Sequence, residues 1–371
     1  MPVPLLDLKP QYAALKDDLD AAVAEVVSSQ HFIMGPQVKA FEAEVGEWLG
    51  AEHAIGCASG TDALLLALWA LGVGEGDEVI TTAFTFFATA GAVARLGAKP
   101  VFVDIQPDTF NIDPAAVEAA ITPATKVILP VHIFGVPADM TALRDIADRH
   151  GLKLVEDAAQ SIGATWDGAQ TGTMGTFGCF SFFPSKNLGC WGDGGLVTAM
   201  EEGPAELVRQ LRVHGNYPRK YYHARVGTNS RLDAIQAAVL RVKLRHLAGW
   251  GEARRRHVAR YRALVEQAGL ADAVVFQTVP DAAVPVFHQC VVRVPERDAT
   301  LQHLKDNGIG TAIYYPRPLH LQECFGYLGQ GAGALPVTEE ACSQVLALPI
   351  FPELTEAQQD EVVATLASRL G

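Results

Sequence analysis

Apolar positions along the first two-thirds of the chain fall into two kinds of block. TDALLLALWALG (residues 61–72) is apolar from 63 to 71, about two and a half helical turns, and ends on Gly72, which predicts a buried helix with a glycine stop. Between such helical blocks lie short apolar runs: DEVITTA (77–83), AKPVFVDI (98–105), ATKVILPVHIF (124–134) and LKLVEDAA (152–159). Runs of this length, apolar on both faces and separated by helices, predict strands of a mostly parallel central sheet in an α/β domain. From Asn229 the pattern changes to a long amphipathic helical region, SRLDAIQ through EQAG (230–269), with arginines along one face. That face reads as solvated or inter-subunit surface. Beyond it, FHQCVVRV (287–294) predicts a strand and ATLQHLKDNG (299–308) a helix. TAIYYPRPLHLQ (311–322) is a proline-broken loop, and EAQQDEVVATLASRL (356–370) a closing helix. The expected organisation is a large domain over 1–245, N-terminal segment included, and a smaller α/β domain over 246–371.

Composition adds limits. The chain has 371 residues, 49% hydrophobic and 19% charged, an ordinary globular balance. A formal net charge of −13 argues against a nucleic-acid partner, since a phosphate backbone repels an acidic surface. No signal-peptide pattern opens the sequence, and no apolar run approaches the ~18 residues of a membrane span. Six cysteines stand scattered without C-x-x-C pairs, so they read as reduced thiols of a cytoplasmic protein and not as a metal site.

Four stretches carry candidate chemistry. FFPSKNLG (182–189) places Lys186 in a loop between the apolar FGCFSFF and the glycine-rich GCWGDGGL. A surface lysine is the ordinary reading; a desolvated one would have the lowered pKa that imine formation requires. VEDAAQS (155–161) brings Asp157 to a strand end, where it either caps a helix or keeps a pyridine nitrogen protonated, with Gln160 a turn further on. CASGTDALLLAL (57–68) puts Ser59, Gly60 and Thr61 before a strong helix, either as plain caps or as a phosphate site of exposed amides. Ser181 offers a further hydroxyl. TTAFTFFATA (81–90) contains Phe86, either core or a ring that lies on another ring.

Taken in order, phosphate loop, aromatic, strand-end aspartate and loop lysine match fold type I pyridoxal-phosphate (PLP) enzymes. The sequence resembles the DegT/DnrJ/EryC1/StrS family of nucleotide-sugar aminotransferases over essentially its whole length. The resemblance is carried by LLDLKPQY, FIMGPQVKAFEAEV, SGTDAL, FTFFATA, GAKPVFVDI, VEDAAQSIGA, FSFFPSKNLG, GDGG, GTNSRLDAIQAAVL and YYPRPLH. It implies that Lys186 bonds PLP covalently, Asp157 pairs with the pyridine nitrogen, Gln160 meets the phenolic oxygen and Phe86 stacks on the ring. Gly60, Thr61 and Ser181 would hold the phosphate. Asn229, in GTNSR, would reach the phosphate in a neighbouring subunit, which implies a homodimer with composite sites. Arg231, Tyr314, Tyr315 and His320 match positions near the sugar.

The reaction so implied is amino transfer, by resemblance from L-glutamate, to a nucleotide-linked keto-sugar. SKNLGCWGDGG and VGTNSRLDAIQAA look most like members acting at C3, with UDP-2-acetamido-3-keto-uronic acids slightly ahead of dTDP-3-keto-6-deoxyhexoses, and C4 aminotransferases behind. Arg231 is a candidate for a uronate carboxylate or for a subunit brace. A regulator that binds PLP or a nucleotide sugar without turnover is the non-enzymatic alternative; it would be marked by loss of the lysine or aspartate, and neither is lost. A nicotinamide enzyme is disfavoured, because GVGEGDE (72–78) follows a helix and precedes a strand.

Overall fold

The computed structural model describes residues 2–371. Seven strands form the main sheet: β1 (His53–Cys57), β2 (Glu78–Thr82), β3 (Lys99–Val103), β4 (Thr125–Leu129), β5 (Lys153–Asp157), β6 (Phe177–Ser181) and β7 (Gly195–Ala199). Their spatial order is β1-β7-β6-β5-β4-β2-β3. β7 runs antiparallel to both neighbours, while β6, β5, β4, β2 and β3 pair in parallel. The four expected strands are present, but ATKVILPVHIF is strand only to Leu129. Pro130 supplies no ladder donor, and the chain then makes a tight turn at Ile133–Gly135. β6 and β7, which flank the lysine loop, were not separated from their surroundings by the pattern.

The helix α1 (Gly60–Ala70) explains its own uniform apolarity: Ala63 through Leu68 are all buried, because sheet and neighbouring helices enclose it on every side. The amphipathic region is two helices, α2 (Ala234–Leu244) and α3 (Leu247–Gln267), broken at Arg245 and His246. SRLD lies outside α2, whose N-terminus is capped by the Asp233 carboxylate accepting from the Gln236 amide at 2.9 Å.

A second core gathers Val258, Tyr261 and Val265 of α3 with Val292, Leu346, Leu348 and Leu366, around a three-stranded antiparallel sheet. Val3 belongs to this core: it is 1% exposed and pairs with Ile309. Val3 therefore packs on the C-terminal part, while the helices Lys9–Ser29 and Pro36–Leu49 that follow it pack against α2 and the first part. α2, by contrast, packs with Phe41, Phe180 and Phe182 of the first part. Among the described residues no helix is long and apolar enough to cross a membrane.

Candidate active site

The parallel strands end on one side of the sheet, and the segments that follow them line a cavity of about 640 Å³. Ser59, Gly60 and Thr61 follow β1, Thr85 and Phe86 follow β2, Val131 follows β4, Asp157 ends β5, and Ser181 and Lys186 come from the end of β6. Loops of an α/β sheet converge at such strand ends, so residues as far apart as Ser59 and Lys186, 127 positions, line one cavity.

The phosphate-type corner is built from close backbone approach. Ser59 caps α1 through its hydroxyl, which accepts from the Asp62 amide at 3.1 Å. The amides of Gly60 and Thr61 have no partner among the described residues, as expected of a first helical turn. A Cβ on Gly60 would lie 2.6 Å from the Ser181 Cβ, so only glycine lets the loop meet β6. Gly195 has the same role from the other side, since a Cβ there would collide with the backbone of Ser59. Its motif, GDGG, was legible; its reason was not.

Lys186 is half-buried, and desolvation of its amine moves it down to about 8 from the ordinary 10.5, against the raising influence of Asp157. Asp157 is 5% exposed, and burial raises its carboxyl above the usual range. Two donors oppose that: the Thr89 hydroxyl to Oδ2 at 2.7 Å and the Ala159 amide to Oδ1 at 3.2 Å. Thr89 in turn lies 3.0 Å from the Thr85 hydroxyl. Next to Asp157 on β5, Glu156 points the other way into a dry anchor. It accepts from the amides of Gly172, Met174 and Gly175, each at 2.7 Å, and lies 3.0 Å from His132 Nε2. His132 Nδ1 accepts from the Ala138 amide, so its proton sits on Nε2 and is donated to Glu156. The end of β5 is thereby fixed.

Gln160 has a defined orientation. Its Oε1 accepts from the Phe134 amide at 2.6 Å, so its NH₂ faces the Tyr315 hydroxyl at 3.1 Å and keeps one proton to donate. Phe86 is 57% exposed at the cavity wall, with its ring centroid 6.5 Å from that of Tyr315. Tyr314 and Tyr315 both line the cavity. His320 does not: it is 1% exposed, with Nε2 3.1 Å from Glu339, so it holds a neighbouring turn and is not a wall of the site. Asn229 and Arg231 are also absent from this wall. Asn229 is exposed and pairs through its backbone with Val213, and Ser230 between them ties the strand end by accepting from the Ala58 amide.

Several groups were not anticipated. Thr89 could have been found from its spacing of four behind Thr85 in TFFATA, which puts both hydroxyls on one face. Ser185, Asp193, His288 and Gln289 also line the cavity. His288 donates from Nδ1 to Asn187 Oδ1 at 3.1 Å, and burial, with Lys186 and Arg254 nearby, keeps its pKa well below the ordinary value. Lys243, on α2, is buried and donates to the Gly189 carbonyl at 2.6 Å, bracing the lysine loop from behind. Neither had a local signal, because each acts across more than 50 positions.

These residues fit PLP. Free amides and the Ser181 hydroxyl offer a dianion cradle, Asp157 a buried carboxylate for a ring cation, Gln160 a spare donor for a phenolate, and Lys186 an amine near neutrality.

The model of the DegT/DnrJ/EryC1/StrS aminotransferase family matches residues 13–367. The chain is 54% identical to the pleiotropic regulatory protein of Geobacillus stearothermophilus, covering 99% of this chain and 98% of that one. It is 44% identical to the UDP-N-acetyl-3-dehydro-alpha-D-glucosamine 3-aminotransferase of Acidithiobacillus ferrooxidans, again over 99% and 98%. Streptomyces venezuelae DesV, solved in complex with a ketimine intermediate, superposes with a TM-score of 0.95 at 44% identity over 99% and 98% of the two chains. Bacillus subtilis NtdA, solved with bound cofactor PMP, gives 0.88 at 35% identity over 94% and 80%. The chain belongs to this aminotransferase family and has its fold type I architecture.

Proposed function

We propose that this member of the DegT/DnrJ/EryC1/StrS family moves an amino group, with PLP, from L-glutamate to C3 of a nucleotide-linked keto-sugar. The observation that carries it is the desolvated Lys186 amine near Asp157, facing a cavity with a phosphate corner. PLP supplies an electron sink and carries nitrogen between the two substrates. Lys186 Nζ takes and returns the proton at the reacting carbon, Asp157 keeps the ring nitrogen charged, and Phe86 orients the ring. The relative named a regulatory protein does not alter this reading, because both groups that turnover needs are present here.

The first candidate acceptor is a UDP-linked 2-acetamido-3-keto-uronic acid, followed by dTDP-linked 3-keto-6-deoxyhexoses. The test is to mix the pyridoxamine form with a panel of UDP- and dTDP-linked 3- and 4-keto-sugars. The true acceptor should restore the absorbance of lysine-bound cofactor at about 420 nm, a band belonging to PLP chemistry. If no keto-sugar does so, the sugar assignment fails while the PLP assignment stands.

The active unit is a homodimer in which Asn229 completes the partner's phosphate corner. Supporting this, Asn229 is exposed and outside its own cavity, and the adjoining segment exposes Tyr217 (51%), Tyr221 (78%) and Tyr222 (52%). Lys186→Ala and Asn229→Ala proteins should each be impaired, yet co-expression should recover up to about a quarter of wild-type activity, as one intact composite site forms per mixed dimer. Absence of recovery would mean that Asn229 serves only its own chain.

A further inference from the structure

Beside the main cavity lies a smaller one of about 50 Å³ that shares Ser185, His288, Gln289 and Tyr314 with it. Its remaining polar wall is Arg254 of α3, which is 3% exposed. Nη1 of Arg254 donates to the carbonyls of Phe287 at 3.1 Å, His288 at 3.2 Å and Ile350 at 3.3 Å. Nε is buried with no partner, and Nη2 makes no hydrogen bond among the described residues. The guanidinium is thus anchored by one nitrogen, and its other fork has no acceptor.

That pattern costs free energy unless something arrives to use it. A buried donor without an acceptor loses its hydration and gains nothing. The opposing charge nearby is Glu353, whose own carboxyl is pushed up by burial and has an unpartnered oxygen. Arg254 is lowered by burial to about 10 and so stays cationic at neutral pH. A side-on Nε/Nη2 fork is the geometry that takes a carboxylate in two parallel bonds.

The geometry points to a carboxylate subsite at Arg254, occupied by the α-carboxylate of the amino donor. This rests on the aminotransferase reading above. Two features select the donor over a carboxylate on the sugar. The subsite has room for about three or four water-sized groups, enough for a carboxylate but not for a pyranose ring. It also touches Ser185, next in chain to Lys186, and the carboxylate of an α-amino acid is one bond from the carbon that must meet Lys186. Donor and acceptor would then share Lys186 while placing their anionic groups in different corners, which lets one site serve both halves of the reaction.

The two half-reactions of the holoenzyme separate the possibilities. In Arg254→Met, the L-glutamate concentration for half-maximal loss of the lysine-bound cofactor band should rise by about 30-fold or more, as for loss of a bidentate charged pair. Reaction of the pyridoxamine form with a neutral dTDP-linked 3-keto-6-deoxyhexose and with a UDP-linked 3-keto-uronate should be unchanged. Loss confined to the uronate would give the carboxylate to the sugar and overturn the assignment. Equal loss in both half-reactions would make Arg254 a brace for three carbonyls and overturn it as well. Should Arg254→Met not fold, Ala347→Val fills the subsite from Val345–Leu348 and leaves the Arg254 bonds in place. The same selective loss is expected, and an unchanged glutamate response would refute the subsite. If wild-type protein converts no amino acid at all, the aminotransferase reading falls first and the subsite with it.

Discussion

Replacing Lys186 with alanine should lower turnover by about 10⁴-fold or more, since covalent attachment and proton transfer are lost together. The band at about 420 nm should vanish, because no other amine lines the cavity among the described residues. Steady-state assay and absorbance of the same sample check both; retained turnover would remove Lys186 from the chemistry. A pH arm tests the cause. With its amine lowered to about 8, cofactor-free protein should capture PLP half-maximally near pH 8, well below an ordinary lysine. Stability follows by linkage. Between about pH 8 and 10.5 the unfolded chain holds a proton on this lysine that the folded chain has released, so the Lys186 contribution to cofactor-free stability rises with pH across that window. The buried thiols of Cys57, Cys179, Cys190, Cys290 and Cys342, all raised above 9.0, act the other way above about pH 9. The slope is at most about 1.4 kcal/mol per pH unit for one lysine. Lys243, also lowered to about 8, acts in the same sense as Lys186, so the Lys186 share is read as the difference between wild type and Lys186→Ala, which should shift in favour of wild type as the pH rises through the window.

The contrast between Lys186 and Lys243 shows where sequence reading stops. Lys186 was visible because its neighbours in the chain, an apolar strand and a glycine-rich turn, are also its neighbours in space. Asp157, Gln160 and Gly60 were visible for the same reason: each ends a strand or opens a helix, and local pattern marks those boundaries. Lys243 and Arg254 look like ordinary charges on amphipathic helices, and only the packing of α2 and α3 buries them against carbonyls from distant segments. The sequence reading gave this helical region an arginine face that is solvated or inter-subunit; Arg254 is a buried exception within it. His320 failed in the other direction. It stands in a motif beside Tyr314 and Tyr315, but the prolines of YYPRPLH turn the chain, so the tyrosines reach the cavity and the histidine reaches Glu339. Proximity along a loop is not proximity in a site. The burial of Val3 belongs to the same class, since a single bridge to Ile309, 306 positions away, has no local pattern.

Asp157→Asn is the sharpest test of the electrostatics, because the fold should absorb it. The Ala159 amide can only donate, so the asparagine oxygen must take the Oδ1 place and its NH₂ the Oδ2 place facing Thr89. The Thr89 hydroxyl can then accept from the amide and give its own proton to Thr85, 3.0 Å away. No buried group is left unpaired, and what is lost is one negative charge. Without it the ring nitrogen has no reason to remain protonated, and both half-reactions should slow on the order of 10³-fold. The lysine-bound cofactor band should survive, since Lys186 is intact. Its amine should also fall below about 8, because Asp157 is the charge that raises it. Rapid-mixing measurement of each half-reaction, with the pH dependence of PLP capture, reads all three effects. A loss smaller than about tenfold would show that the carboxylate charge is not what drives the ring chemistry.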